Sequence, residues 1–208
     1  KDSKDSKNSN VSKDSEKMTP MKAIISLLYS SFQNVVGYAV DIVLNICQLE
    51  ENWQDFVRIA GVHGLILLCS VSRSDARKRA AQELSLRTND ANFRAQLLQV
   101  PNALKYAVAL LLSDDVAEKS AIIGCIANMS QEETCWQVFF ECQIVESLIQ
   151  LLTTTNLTSE NKSVMISAAK ALANLSECGQ NLTEIGSSGA LPKLIDLLYA
   201  SSHELQSK

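Results

Sequence analysis

Apolar residues recur along this chain at helical spacing, and the pattern itself repeats. Between Ser163 and Ser176, the residues Met165, Ala168, Ala169, Leu172 and Leu175 fall at i, i+3, i+4, i+7 and i+10. That is the stripe of an amphipathic helix. Shorter apolar runs before it predict a helix over about Glu132–Cys142 and a second over Ile144–Leu152. No stretch alternates apolar and polar residues for long enough to mark a strand, and no Asn-Gly pair offers a hairpin turn. The expected class is all-α.

Two segments align without gaps at an offset of 46 residues. Ala121–Leu152 (AIIGCIANMSQEETCWQVFFECQIVESLIQLL) lies on Ser167–Leu198 (SAAKALANLSECGQNLTEIGSSGALPKLIDLL), which puts Asn128 on Asn174. Weaker copies, Ala39–Asn45 and Ala80–Leu86, put Asn45 and Leu86 at the same point. These marks are spaced by 41, 42 and 46 residues, the last lengthened by the polar segment Thr153–Lys162, a predicted loop. A helical period near 42 residues predicts a solenoid of stacked three-helix units. The boundaries expected are a partial unit over 18–49, units over 50–89, 90–130 and 131–176, and a partial unit over 177–208. The chain opens on a second helix and ends, at His203–Lys208, on what reads as the start of a third, so it is expected to be a piece of a longer protein.

Turn chemistry fits the period. Gly61, Asn102 and Gly189 stand between the first and second helices of their units, and both residue types accept the left-handed backbone that closes a helix. Gln143 occupies that point in its unit and departs from the pattern. Pro192 follows Gly189 in a first turn, where a missing N–H costs nothing.

Composition narrows the function. Lys1–Lys17 is built almost wholly of Lys, Asp, Ser and Asn, so it cannot bury enough apolar surface to order itself and is expected to be a disordered tail or linker. It carries +1 of a net charge of −4, which leaves the rest at −5, with no basic footprint for nucleic acid. No run of apolar residues is long enough for a membrane span. The six cysteines form no C-x-x-C pair, and His63 and His203 are the only histidines, so structural thiols are favoured over a metal site. A reducing compartment is expected, the cytoplasm or alternatively the nucleus. Catalytic patterns are missing: there is no phosphate-cradling loop and no nucleophile elbow. Asp114–Asp115 and Glu132–Glu133 read as helix starts. No catalytic residue and no cofactor is expected.

At Ala168–Ser176 (AAKALANLS) and Gly189–Leu198 (GALPKLIDLL) the chain resembles the armadillo repeat family. The resemblance covers about Met18–Lys208 and is strongest in the last two units. It implies a right-handed superhelix whose third helices line a concave groove. It also implies that Asn45, Asn128 and Asn174 can bond the backbone of an extended peptide, since an amide offers both donor and acceptor. A second role stays open for them, that of bridging adjacent repeats. The aromatic residues that importin-α-like members place one turn before this Asn are replaced by Asp41, Gln82, Gly124 and Lys170, and Leu86 breaks the Asn row. Trp53 and Trp136 fall in first helices and read as packing. Arg77, Lys78 and Arg79 are either a basic spot for an acidic partner or a solvated helix start.

The expected function is a non-catalytic scaffold or adaptor that holds a protein partner, an extended peptide or a helix, in the groove. The candidate contacts are Asp41, Asn45, Arg79, Gln82, Asn128, Lys170 and Asn174. The alternatives are a regulatory, autoinhibitory domain of a larger signalling protein or enzyme and, more weakly, a cargo adaptor.

Overall fold

The computed structural model describes residues 18–154, 158, 161–196 and 199. The tail Lys1–Lys17 and the end His203–Lys208 lie outside them. The helices are α1 (Pro20–Leu28), α2 (Gln33–Ile46), α3 (Glu50–Ser70), α4 (Ser74–Arg87), α5 (Ala91–Leu98), α6 (Ala103–Leu111), α7 (Val116–Met129), α8 (Glu133–Glu141), α9 (Ile144–Thr154), α10 (Lys162–Leu175) and α11 (Gly179–Ser187), followed by helical residues 190–196. No strand occurs among the described residues. The three helices anticipated between Glu132 and Ser176 all form, with ends within two residues of the pattern's limits.

Local chemistry explains the helix ends. Thr19 caps α1 by accepting from the Lys22 N–H at 3.2 Å, with Pro20 opening the first turn. Asp90 accepts from Phe93 N at 2.9 Å, and Asp115 accepts from the N–H groups of Ala117 and Glu118 at 2.8 and 3.1 Å. Helix α3 is two helices joined at Gly61, whose φ of 59° and ψ of −155° suit only glycine. Asn102 (φ 60°), Gln143 (φ 57°) and Gly189 (φ 75°) take positive φ at the same point of their units. Gln143 lacks the sequence signal yet adopts the geometry, because the next helix must fold back at that point whatever residue stands there.

The helices stack in rows to make an α-solenoid. The long third helices α4, α7 and α10 pack side by side, and α1, the second half of α3, α6 and α9 form a parallel row behind them. Between the rows lies one continuous aliphatic core, with Phe56, Leu65, Leu84, Ile122, Ile126, Phe139, Leu148, Met165 and Leu172 fully buried. Cys47, Cys69, Cys125 and Cys135 belong to it, and all six cysteines are free. Burial pushes the thiols up, Cys47 to about 11 and Cys125 and Cys135 to about 12, so they stay protonated and unreactive near neutral pH.

A buried polar knot ties α4 to α7. The fully buried Glu118 accepts from Ser113 Oγ at 2.7 Å, from Ser74 Oγ at 2.8 Å and from the Arg77 guanidinium at 3.1 Å. Arg77 also donates to the carbonyls of Val71 and Ser72 at 3.0 and 2.7 Å. Desolvation raises the Glu118 carboxyl, but the two hydroxyls and the guanidinium outweigh it and hold it below the ordinary carboxylate range.

Two measurements test this account. Gln143→Gly should raise stability by about 1 kcal/mol in urea denaturation, because glycine carries no left-handed penalty. Glu118→Gln should cost about 3 kcal/mol at neutral pH by leaving Arg77 without its counter-charge. Because the folded carboxyl titrates below its unfolded value of about 4.3, its contribution is full above that pH. It is lost as pH falls through the folded value, so the gap between variant and wild type should narrow below about pH 4.

Candidate partner-binding surface

The third helices present one face to solvent along their row. On α2 that face carries Asn34, Tyr38, Asp41 and Asn45, and on α4 it carries Lys78, Gln82 and Leu86. On α7 it carries Ala117, Ser120, Ala121, Gly124 and Asn128, and on α10 Ser163, Ile166, Lys170 and Asn174. The middle of the row is therefore lined by small side chains. Helices α4 and α7 lie close here: a Cβ on Gly124 would fall 2.5 Å from the rotatable Ser85 Oγ and 3.7 Å from Ser85 Cβ.

The asparagines of the row are committed on one side. Asn128 Nδ2 donates to the Ser85 carbonyl at 3.2 Å and to Thr88 Oγ1 at 3.3 Å. Asn174 Nδ2 donates to Ser130 Oγ at 3.0 Å and, at a longer 3.5 Å, to the Ala127 carbonyl. The register is the same in both: the carbonyl one residue before the preceding mark and the hydroxyl two residues after it. A carbonyl acceptor fixes the amide orientation, since only the nitrogen can donate to it. Among the described residues no donor reaches either Oδ1. The bridging role is thus built into α7 and α10, and what each side chain leaves open is an acceptor.

The first step of the row is different. Leu86, 67 % exposed, cannot reach back as the asparagines do, and Asn45 is exposed on α2. Arg79 stands where α7 and α10 have the small residues Ala121 and Ser167. Its guanidinium lies 4.3 Å over the Trp53 ring, donates to the Cys47 carbonyl and meets Glu50 at 3.4 Å. With this bulk between them, α2 stands off from α4. Asp41 pairs with Arg73, which also holds Asp75 at 2.8 Å. Arg77 is spent on Glu118. Of the basic cluster only Lys78 keeps its charge toward the row, with Asp115 nearby. Gln82 and Lys170 are exposed.

A second recurring device was not legible in the residue types. The closing carbonyls of α2, α4 and α7 are each capped by a side chain from the following first helix. Asn52 donates to Ile46 O at 2.7 Å, Arg94 to Thr88 O at 2.9 Å, and Trp136 Nε1 to Ser130 O at 2.8 Å. Three unlike donors sit seven or eight residues after the mark, and that shared offset is the signal that reveals them. Asn181 stands at the same offset and is fully buried, yet neither polar atom of its amide has a partner among the described residues. Trp53 is 2 % exposed and donates to the Glu83 carboxylate at 3.0 Å, so it serves packing, while Trp136 caps a helix end.

Because Asn128 joins two helices, Asn128→Ala should lower stability by about 1–3 kcal/mol in chemical denaturation, leaving the Ser85 carbonyl without its donor. Gln82→Ala, at an exposed position of the same row, should change it by less than about 0.5 kcal/mol.

No family model matches the chain. Over 154 residues it is 25 % identical to the Drosophila melanogaster "Armadillo repeat-containing protein gudu"; the match covers 56 % of this chain and 23 % of that protein, so it spans under a quarter of the relative's length. A crystal structure of an engineered protein superposes with a TM-score of 0.64 at 25 % identity, over 90 % of this chain and 45 % of that one. A designed armadillo repeat protein in complex with the peptide (KR)4 superposes with a TM-score of 0.62 at 20 % identity, over 86 % and 74 %. Taken with the period, the left-handed turns and the stacked third helices, these likenesses show that the chain has the armadillo-type α-solenoid fold.

Proposed function

We propose that this chain is a non-catalytic protein-interaction scaffold that holds an extended segment of a partner along its concave row. The observation that carries the reading is the pair of committed asparagines. With Nδ2 of Asn128 and Asn174 tied to the preceding helix, each Oδ1 is an oriented acceptor, one repeat apart from the other. A backbone N–H of an extended segment satisfies such an acceptor without regard to sequence. The small floor of α7 gives the segment room, and Gln82, Lys78 and Lys170 at its sides supply polar and cationic contacts. The designed neighbour that holds a peptide supports a protein ligand for this fold. A reducing compartment, cytoplasmic or nuclear, belongs to the same proposal and rests on six free cysteines. The regulatory-domain and cargo-adaptor alternatives each add a neighbour or a cargo that no residue of the row specifies.

Asparagine variants would confuse binding with folding, so the test uses exposed positions. A photo-crosslinking amino acid is placed at Gln82 or Lys170 on the row, and at Lys105 on α6 behind it. Crosslinking to the same partner from Gln82 and Lys170 but not from Lys105 is the expected result. A partner caught only from Lys105 overturns the reading.

A further inference from the structure

Each third helix has a back face that leans on the third helix before it. On α7 this face carries Glu118, Ala121, Cys125 and Asn128, and on α10 Val164, Ser167, Ala171 and Asn174, all buried or half-buried. Glu118 and Asn128 reach α4 from it, and Asn174 reaches α7. At the same distances from its own mark, α2 carries Val35, Tyr38, Ile42 and Asn45. Here the face is open. Tyr38 is 68 % exposed, Ile42 39 %, and Asn45 is exposed as well. The open surface continues onto α1 at Leu27, 42 % exposed, whose counterparts Leu68 and Leu110 are buried. It extends past the end of α2 to the exposed Leu49.

The asparagine that ends the back face goes with a second residue. Asn128 reaches Thr88, the C-cap of α4, and Asn174 reaches Ser130, the C-cap of α7. The C-cap of α2 is Cys47, and the mark that follows it is Leu86. An asparagine thus stands where the preceding helix closes on a hydroxyl, and leucine where it closes on a thiol. Asn45 is an asparagine of this kind, yet among the described residues no helix stands behind α2 to receive its amide.

We infer that the open back face of α1 and α2 docks an amphipathic helix of a partner protein, one that closes on a serine or threonine. The docked helix continues the interface that already runs from α4 through α7 to α10. Its apolar stripe covers Leu27, Tyr38, Ile42 and Leu49, and Asn45 donates to a carbonyl of its last turn and to its closing hydroxyl. The helix comes from another polypeptide because the residues before α1 do not carry the repeat pattern. Phe56, Leu97, Phe139 and Ile185, each eleven residues after a mark, are buried apolar anchors of first helices. The residues 41 and 42 before Phe56 are Ser15 and Asp14, and from Ser12 to Lys17 there is no apolar residue. That stretch offers no anchor for a first helix that would hold a preceding unit in place. The surface lies at the end of the array, so the inference does not rest on the reading of the row.

Two measurements test it. The first titrates a synthetic alanine-based helical peptide of about fifteen residues, with a leucine stripe and a serine C-cap, into the isotope-labelled chain and follows backbone amide resonances. Amides of residues 24–28 and 35–49 should move. Ile42→Glu puts on α2 the residue type that α4 carries at Glu83, and Tyr38→Ser alters an exposed position, so both variants should stay folded by circular dichroism. Each should weaken binding by at least about tenfold. Asn45→Ala, or alanine for the peptide's serine, should weaken it by about fivefold, and the two together by no more than either alone. Shifts confined to α4, α7 and α10, undiminished binding to Ile42→Glu and Tyr38→Ser, no coupling between the Asn45 and serine changes, or no binding at millimolar peptide would each overturn the inference. The second measurement places a photo-crosslinking amino acid at Tyr38 in the cells that make the protein and identifies the joined peptide by mass spectrometry. A helical segment of another protein, closing on serine or threonine, is expected. Joining to Lys1–Lys17, to any other part of this polypeptide, to a second copy, to a partner segment of another kind or to nothing overturns the inference. Crosslinks from Gln82 and Lys170 report on the row and not on Tyr38, so the two readings fall separately.

Discussion

The structure depends on how one third helix meets the next. A helix ends with carbonyls that its own backbone cannot satisfy. In a solenoid those ends are buried by the following unit, so the following unit must supply the donors. Asn52, Arg94 and Trp136 do this from first helices, and Asn128 and Asn174 do it from third helices. Each unit is completed by its successor. That keeps the repeat in register along the described units.

Side-chain volume then sets the spacing. Where the facing residues are Gly124, Ala121 and Ser167, the third helices touch. Where the residue is Arg79, stacked on Trp53 and anchored on the Cys47 carbonyl, they part. The same substitution pattern shapes the surface. The close steps make a continuous floor with fixed acceptors, while the open step makes a cleft. Two kinds of surface thus follow from exchanging a few small residues for large ones within a constant fold.

Charge shows the same economy. The chain is acidic overall, yet its third-helix row is rich in basic residues near α4. Most of that charge is inward-directed. Arg77 neutralises a buried carboxylate, Arg79 serves a carbonyl, and Arg73 bridges two carboxylates. The basic charge left outside these pairs along the row is chiefly that of Lys78 and Lys170.

The sequence by itself determined whatever depends on neighbours in the chain. The i, i+3, i+4 stripe dictated the helices, the repeat dictated the solenoid, and Gly61, Asn102 and Gly189 announced the reversals. Gln143 escaped this reading, because a packed helix pair can impose a left-handed residue that the residue type does not request. Contacts between helices some forty residues apart were decided only by the tertiary structure. The row of asparagines was visible as a pattern, but the destination of each amide, Ser85 or Ser130 on the preceding helix and not solvent, depended on the distance between two helix axes. The pairing of Arg77 with Glu118 and the cleft beside Val36 have the same origin. Axis separation is set by the bulk of every side chain between the helices at once, and no local pattern carries that sum.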